Sequence, residues 1–355
     1  MPTTRPWDQF DEAKFNPCGV PGAWGELSLG SFSKFGDLAQ AGFGSLEGPL
    51  VAQPASNPTY VRYFTAYNRI EYEKIASKQW YLRAKLTAEP GGAVFDNGSV
   101  DVKAAWMDMA RVARPERYYT RDATVLDPVT GSASKRKVGL VGLHIVQKTP
   151  SRPQWIWSTF EHVDNVPDVK LTNGPFAFND GTATHMPPKN PIPLDRVLQS
   201  PTPPPFNVER VHPIHNSTMN TNKAYRQALS GTVWANYALV ATQWPAKPNS
   251  PQTPGSPANT VPGLGTATTA FANTTMETFG QRGISTSCMA CHTVTMQATD
   301  FVWSLNDHAF PPSTATPNLI MANPAFRELR ALLERKTQAD VAEASRAGAS
   351  REAPK

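Results

Sequence analysis

Between residues 100 and 163 the apolar positions recur with a period close to two. Three runs stand out, at 100–106, 138–146 and 155–163. Each is rich in β-branched and aromatic residues, and each predicts a strand. The last two are joined by a short connector containing Pro150 and Pro153, so they are expected to form an antiparallel hairpin with a loose loop. In the second run the alternation puts Val138, Leu140, His144 and Val146 on one face. In the third, Ile156, Phe160 and His162 share a face, with Trp155, Trp157 and Glu161 opposite. A strand that is apolar on both faces is covered on both sides, which makes this sheet central. A further strand is expected at 232–244, around Val233, Tyr237, Leu239 and Trp244.

Helical spacing appears elsewhere. Val61, Phe64, Tyr67, Asn68, Tyr72 and Ile75 approximate one helical face and predict a helix over 59–78. A second helix is expected at 218–229. Asn273, Thr274 and Thr275 form a polar start before Met276, Glu277, Thr278 and Phe279, with Gly283 placed to end a short helix. Asn323 and Pro324 open a last one, whose apolar stripe is Phe326, Leu329, Leu332 and Leu333. Two proline-rich stretches, 167–213 and 245–265, read as long coil. The class is α+β. An irregular arm (1–56) precedes a body with a central antiparallel β-sheet and long proline-rich loops (57–265). A small α-helical segment with a polar tail follows (266–355).

That last segment carries the chemistry. Cys288, Met289, Ala290, Cys291 and His292 form a Cys-x-x-Cys-His motif. This is the attachment sequence for one covalent haem c. Two thiols at this spacing add across the two vinyl groups, and the imidazole that follows lies under the iron. A thioredoxin-like redox pair does not require the histidine. A tetrahedral zinc site needs four ligands, and only Cys18 and scattered histidines remain to supply them. A helix, a haem motif and a closing helix resemble the core of a small class I cytochrome c. The stretch 293–322 is shorter than the usual methionine-bearing loop, so the haem pocket is expected to be completed by the rest of the chain.

Four stretches, at 100–106, 138–146, 155–165 and from Asn273 through the motif, resemble a group of bacterial exported "cytochrome c family" proteins. The resemblance spans about 60–355 and implies one covalent haem and export. It carries no site residue beyond Cys288, Cys291 and His292.

Composition narrows the setting. The chain has 355 residues, 34 of them proline, roughly twice the usual share. The net charge of +5 favours acidic partners, such as an acidic redox protein, but falls well short of a nucleic-acid footprint. The basic run Lys135, Arg136, Lys137 reads as a solvated hairpin tip. No apolar run reaches the ~18 residues of a membrane span. Met1 to Phe10 is polar. Because haem is attached to such motifs outside the bacterial cytoplasm, the chain is expected to follow a cleaved leader and to be periplasmic or otherwise exported. Cys18 is read as a small buried hydrophobe.

The ligand opposite His292 decides the function class. Met296 lies one helical turn beyond His292 and is poorly placed. His308 and Met321 are the candidate distal ligands. His144, His162, His185, His212, His215 and Met186 are upstream alternatives. A closed site transfers electrons. An open site would suit a haem enzyme of peroxidase or oxidase type, with His144, His162 and Glu161 as distal acid–base groups. A haem with a purely structural or sensing role is a third reading.

Overall fold

The computed structural model describes residues 27–29, 61–112, 114–126, 133–167, 176–179, 208–210, 213–244, 271–278, 288, 292 and 299–309. Its strands are β1 (Leu27–Leu29), β2 (Arg62–Tyr67), β3 (Val100–Asp108), β4 (Thr120–Leu126), β5 (Ala133–Thr149), β6 (Arg152–His162) and β7 (Tyr237–Gln243). The helices among the described residues are α1 (Arg69–Lys78), α2 (Arg83–Thr87), α3 (Asn216–Ala228) and α4 (Trp303–His308).

All seven strands belong to one sheet. β1 runs parallel to β4, and every other pair is antiparallel. The organising element is β5, 17 residues long. One of its edges pairs with β3, which in turn pairs with β2. The other edge pairs first with β4, up to Gly139, and then with β6, from Gly142 onward. The sheet therefore forks at residues 139–142, and β7 extends the β6 branch.

Three expectations change in detail, the simplest being the strand expected at 232–244, which runs only over Tyr237–Gln243 because Val233–Asn236 form a 3-10 turn. Residues 62–67 form a strand, not the first half of a helix. They pair with β3 along their whole length, and Phe64, counted on the buried helical face, is exposed. The helix begins only after Asn68, whose side-chain oxygen accepts from Glu71 N and also from Val100 N, both at 3.1 Å. The β5–β6 hairpin is tight: Thr149 pairs with Arg152 across the two-residue turn Pro150–Ser151. Its alternation is also broken. Opposite β3 the register shifts between Ala105 and Trp106, leaving Val141 as the extra residue of a bulge. Val138 and Leu140 pack with Trp106 and Val125, whereas Val146 packs on the other face with Trp157 and Phe301. Lys135, Arg136 and Lys137 lie within β5 and are exposed.

A polar plug closes the fork. Tyr119 N donates to Tyr237 Oη at 2.9 Å, and Tyr237 Oη donates to the Leu140 carbonyl at 2.8 Å. Beside it, Asn165 Nδ2 donates to the Val141 carbonyl at 2.7 Å. These groups supply the partners that backbone atoms lose where one neighbouring strand gives way to another. Tyr237→Phe orphans the part-buried Tyr119 N–H and the buried Leu140 carbonyl together. It is expected to cost about 1–3 kcal/mol, read as a lower urea midpoint with an unchanged slope.

Candidate functional site

The described residues of the C-terminal segment lie across one face of β5 and β6, and the alternation of those strands dictates where they are held. On β5, alternate residues meet it in turn. Gly142 leaves room for Thr275, since a Cβ there would stand 2.6 Å from Thr275 Oγ1. His144 Nε2 lies 3.3 Å from the Glu277 carboxylate. Val146 packs in one cluster with Phe301 and Val302. Lys148 forms a buried ion pair with Asp300.

On β6 the same holds for Trp155, Trp157, Thr159 and Glu161. Trp155 Nε1 donates to the Asp300 carbonyl at 3.0 Å. The Trp157 ring lies 4.3 Å from that of His292. Thr159 Oγ1 accepts from Asn273 Nδ2 at 3.1 Å. Glu161 accepts from Thr274 N at 3.0 Å and from Thr274 Oγ1 at 2.7 Å, and pairs with buried Arg210. The helix expected to start at Asn273 shows a single turn among the described residues, with Glu277 N donating to the Asn273 carbonyl at 2.9 Å.

These anchors bracket the motif. Cys288 and His292 both have helical backbone and are half-buried. Cys288 packs against the aromatic cluster of Trp80, Phe95, Trp155, Trp157 and Phe301. Trp303 meets the His292 ring edge-on at 6.3 Å. His292 Nδ1 is 2.7 Å from the Phe301 carbonyl. A carbonyl only accepts, so Nδ1 carries a proton, and in the neutral ring Nε2 is then the unprotonated nitrogen. Metal-ligating histidines are held in this tautomer by such a bond.

The other candidates fall into three groups. Cys291, Met321, Met296, Cys18, His185, Met186 and His212 lie outside the described residues. His308 is the last residue of α4, and its side chain lies outside them too. The remaining residues have structural work. His162 is buried, stacked on Tyr118 at 3.8 Å, with Nε2 against the Arg117 carbonyl and Nδ1 accepting from Asp164 N. Burial pushes its pKa down to about 4, so it stays neutral near pH 7 with both nitrogens occupied. Glu161 is committed to Thr274 and Arg210. His215 caps α3.

Among the described residues no group of three or more His, Cys, Asp or Glu side chains could hold a metal ion by itself. None of their helices is long and apolar enough to cross a membrane. No family model, curated protein or solved structure matches the chain.

Beneath the site runs a cross-strand row: Tyr67, Asp101, Val146 and Trp157. Tyr67 Oη donates to Ser304 in α4. Sequence alternation alone gave no sign of the acids here. Burial pushes Asp101 up to about 7, against the pull of Lys103. Glu71 projects from α1, and among the described residues neither of its buried carboxylate oxygens has a hydrogen-bond partner. Burial first, then Asp101 and Asp300, push it up to about 9, and Lys148 opposes them. Between the ordinary 4.5 and about 9 the folded chain keeps a proton that the unfolded chain releases. Its contribution to stability is therefore complete at the acid end and is lost as pH rises toward the upper value. Glu71→Gln is expected to flatten this decline. Urea midpoints of wild type and variant from about pH 5 to about pH 8 check it, and parallel declines contradict it.

Proposed function

We propose that the chain is a single-haem c-type cytochrome, exported and transferring electrons. One observation carries the reading. His292, the histidine of a complete Cys-x-x-Cys-His motif, directs Nδ1–H to a backbone carbonyl, the bond that orients a histidine which binds metal through Nε2. Cys288 and Cys291 would hold the haem by thioethers, and His292 would bind its iron. A bound haem supplies a one-electron couple. The chain's part is to orient the imidazole and keep water from it. Trp157, Trp303 and Phe301 form an aromatic wall on the His292 side, with the sheet behind them. A chain with net charge +5 suits an acidic redox partner.

The alternative, a haem enzyme with a distal acid–base pair, finds less support. His162 and Glu161 are locked into the fork and the Thr274 anchor, and neither is available to move a substrate proton. His144, beside Glu277, is the group left to that reading.

Placed behind an export leader in a host that attaches haem, the chain is expected to acquire it, while the same chain kept in the cytoplasm stays largely haem-free. Low-spin ferric bands unchanged by cyanide or peroxide are expected of the loaded protein. High-spin bands that respond to either would favour the enzyme. His308→Ala and Met321→Ala separate the two distal candidates. Loss of the near-infrared sulfur-to-iron band in the second variant alone identifies methionine, and a low-spin spectrum lost in the first identifies histidine.

A further inference from the structure

The carbonyl that holds His292 sits in an unusual piece of backbone. Among the described residues four non-glycine positions have positive φ: Gln79, Trp155, Asp300 and Phe301. Gln79 is the ordinary left-handed cap of α1. The other three meet at one point. Asp300 (φ 48°) and Phe301 (φ 72°) are consecutive, and Trp155 (φ 70°) donates its indole N–H to the Asp300 carbonyl. Left-handed backbone is tolerable for aspartate but costly for the bulky aromatics, and such strain persists only where the surroundings over-determine it.

The surroundings do so here. The Asp300 carboxylate pairs with Lys148 of β5 and accepts from Phe95 N at 3.0 Å. Its backbone carbonyl takes the Trp155 indole. Lys148 also lies 5.6 Å above the Trp155 ring, so the two anchors brace each other. Asp300, Lys148 and Trp155 are all buried. The next carbonyl, that of Phe301, is the acceptor for His292.

We propose that Lys148, Trp155 and Asp300 are positioning residues for His292. They lock the left-handed Asp300–Phe301 turn and so aim the Phe301 carbonyl at Nδ1, fixing the imidazole's tautomer and its strength as a donor. This rests on the haem reading for its effect on iron, while its effect on the imidazole stands without haem. Weakening the Nδ1–H···O bond makes the ring a poorer electron donor, which favours ferrous over ferric iron and raises the midpoint potential.

The test uses the full-length chain with Trp155→Phe, which keeps an aromatic but removes the indole N–H, and Asp300→Asn, which tolerates left-handed backbone but removes the charge. Val125→Ala, in the cluster on the other face of the sheet, is the control for general destabilisation. Two quantities are read: the midpoint potential of the haem-loaded protein, and the ring nitrogen chemical shifts of His292 in the haem-free chain. Both site variants are expected to raise the potential and to shift His292 away from the pure Nδ1–H tautomer. Val125→Ala lowers the melting temperature and changes neither. If Asp300→Asn does not fold, Trp155→Phe carries the test alone. Site variants that melt lower yet keep the wild-type potential and tautomer would overturn the proposal. A wild-type chain that never takes haem, but whose His292 tautomer responds to both variants, overturns the cytochrome reading and leaves the clamp standing.

Discussion

Lys148 and Asp300 are 152 residues apart in sequence and share a buried ion pair. Removing one partner of such a pair leaves an uncompensated charge inside the protein and costs roughly 3–5 kcal/mol. The position of the C-terminal segment depends on it. Asp300 ties that segment to β5 by its side chain and to β6 by its carbonyl, through Trp155. Glu161, Thr159 and Tyr63 tie down the other end, the last through a bond from its hydroxyl to the Thr275 carbonyl at 2.9 Å. Cys288 and His292 lie between these two sets of anchors.

This division of labour follows from size. The segment that bears the motif is short, and a large cofactor would consume most of the core it could form by itself. The sheet supplies the missing core. Its β5–β6 face offers an aromatic wall at Trp155 and Trp157, a glycine where Thr275 and Met276 come close, and a carboxylate, that of Glu161, for the Thr274 N–H. On the haem reading, the bond from His292 Nδ1 to the Phe301 carbonyl sets the imidazole in the orientation that an iron ligand needs.

Much of the sheet was legible in advance because its strands announce themselves by period two. The segregation of Trp155, Trp157 and Glu161 from Ile156, Phe160 and His162 follows from the pleat alone, and the former face is the one that receives the C-terminal segment. The bulge at Val141 was not legible: a single extra residue leaves local composition unchanged but flips every later side chain. β4 escaped notice because Thr120, Arg121 and Asp122 are polar and its apolar content is low. β2 was hidden by an accidental helical spacing. The motif fixed His292 as the site's centre, but nothing local marked Asp300, Phe301 or Lys148. Their roles come from long-range pairing and from backbone geometry, neither of which leaves a pattern in nearby residues.

The central claim is that the chain carries one haem through the two cysteines of its motif, seated against this face of the sheet. The most direct measurement is the intact mass, under denaturing conditions, of the full-length chain exported from a haem-attaching host, beside the double variant Cys288→Ala, Cys291→Ala. The account predicts that wild type is heavier than its polypeptide by one haem and that the double variant has the polypeptide mass alone. Wild-type protein recovered at the bare polypeptide mass, or a haem adduct that survives loss of both cysteines, would contradict it.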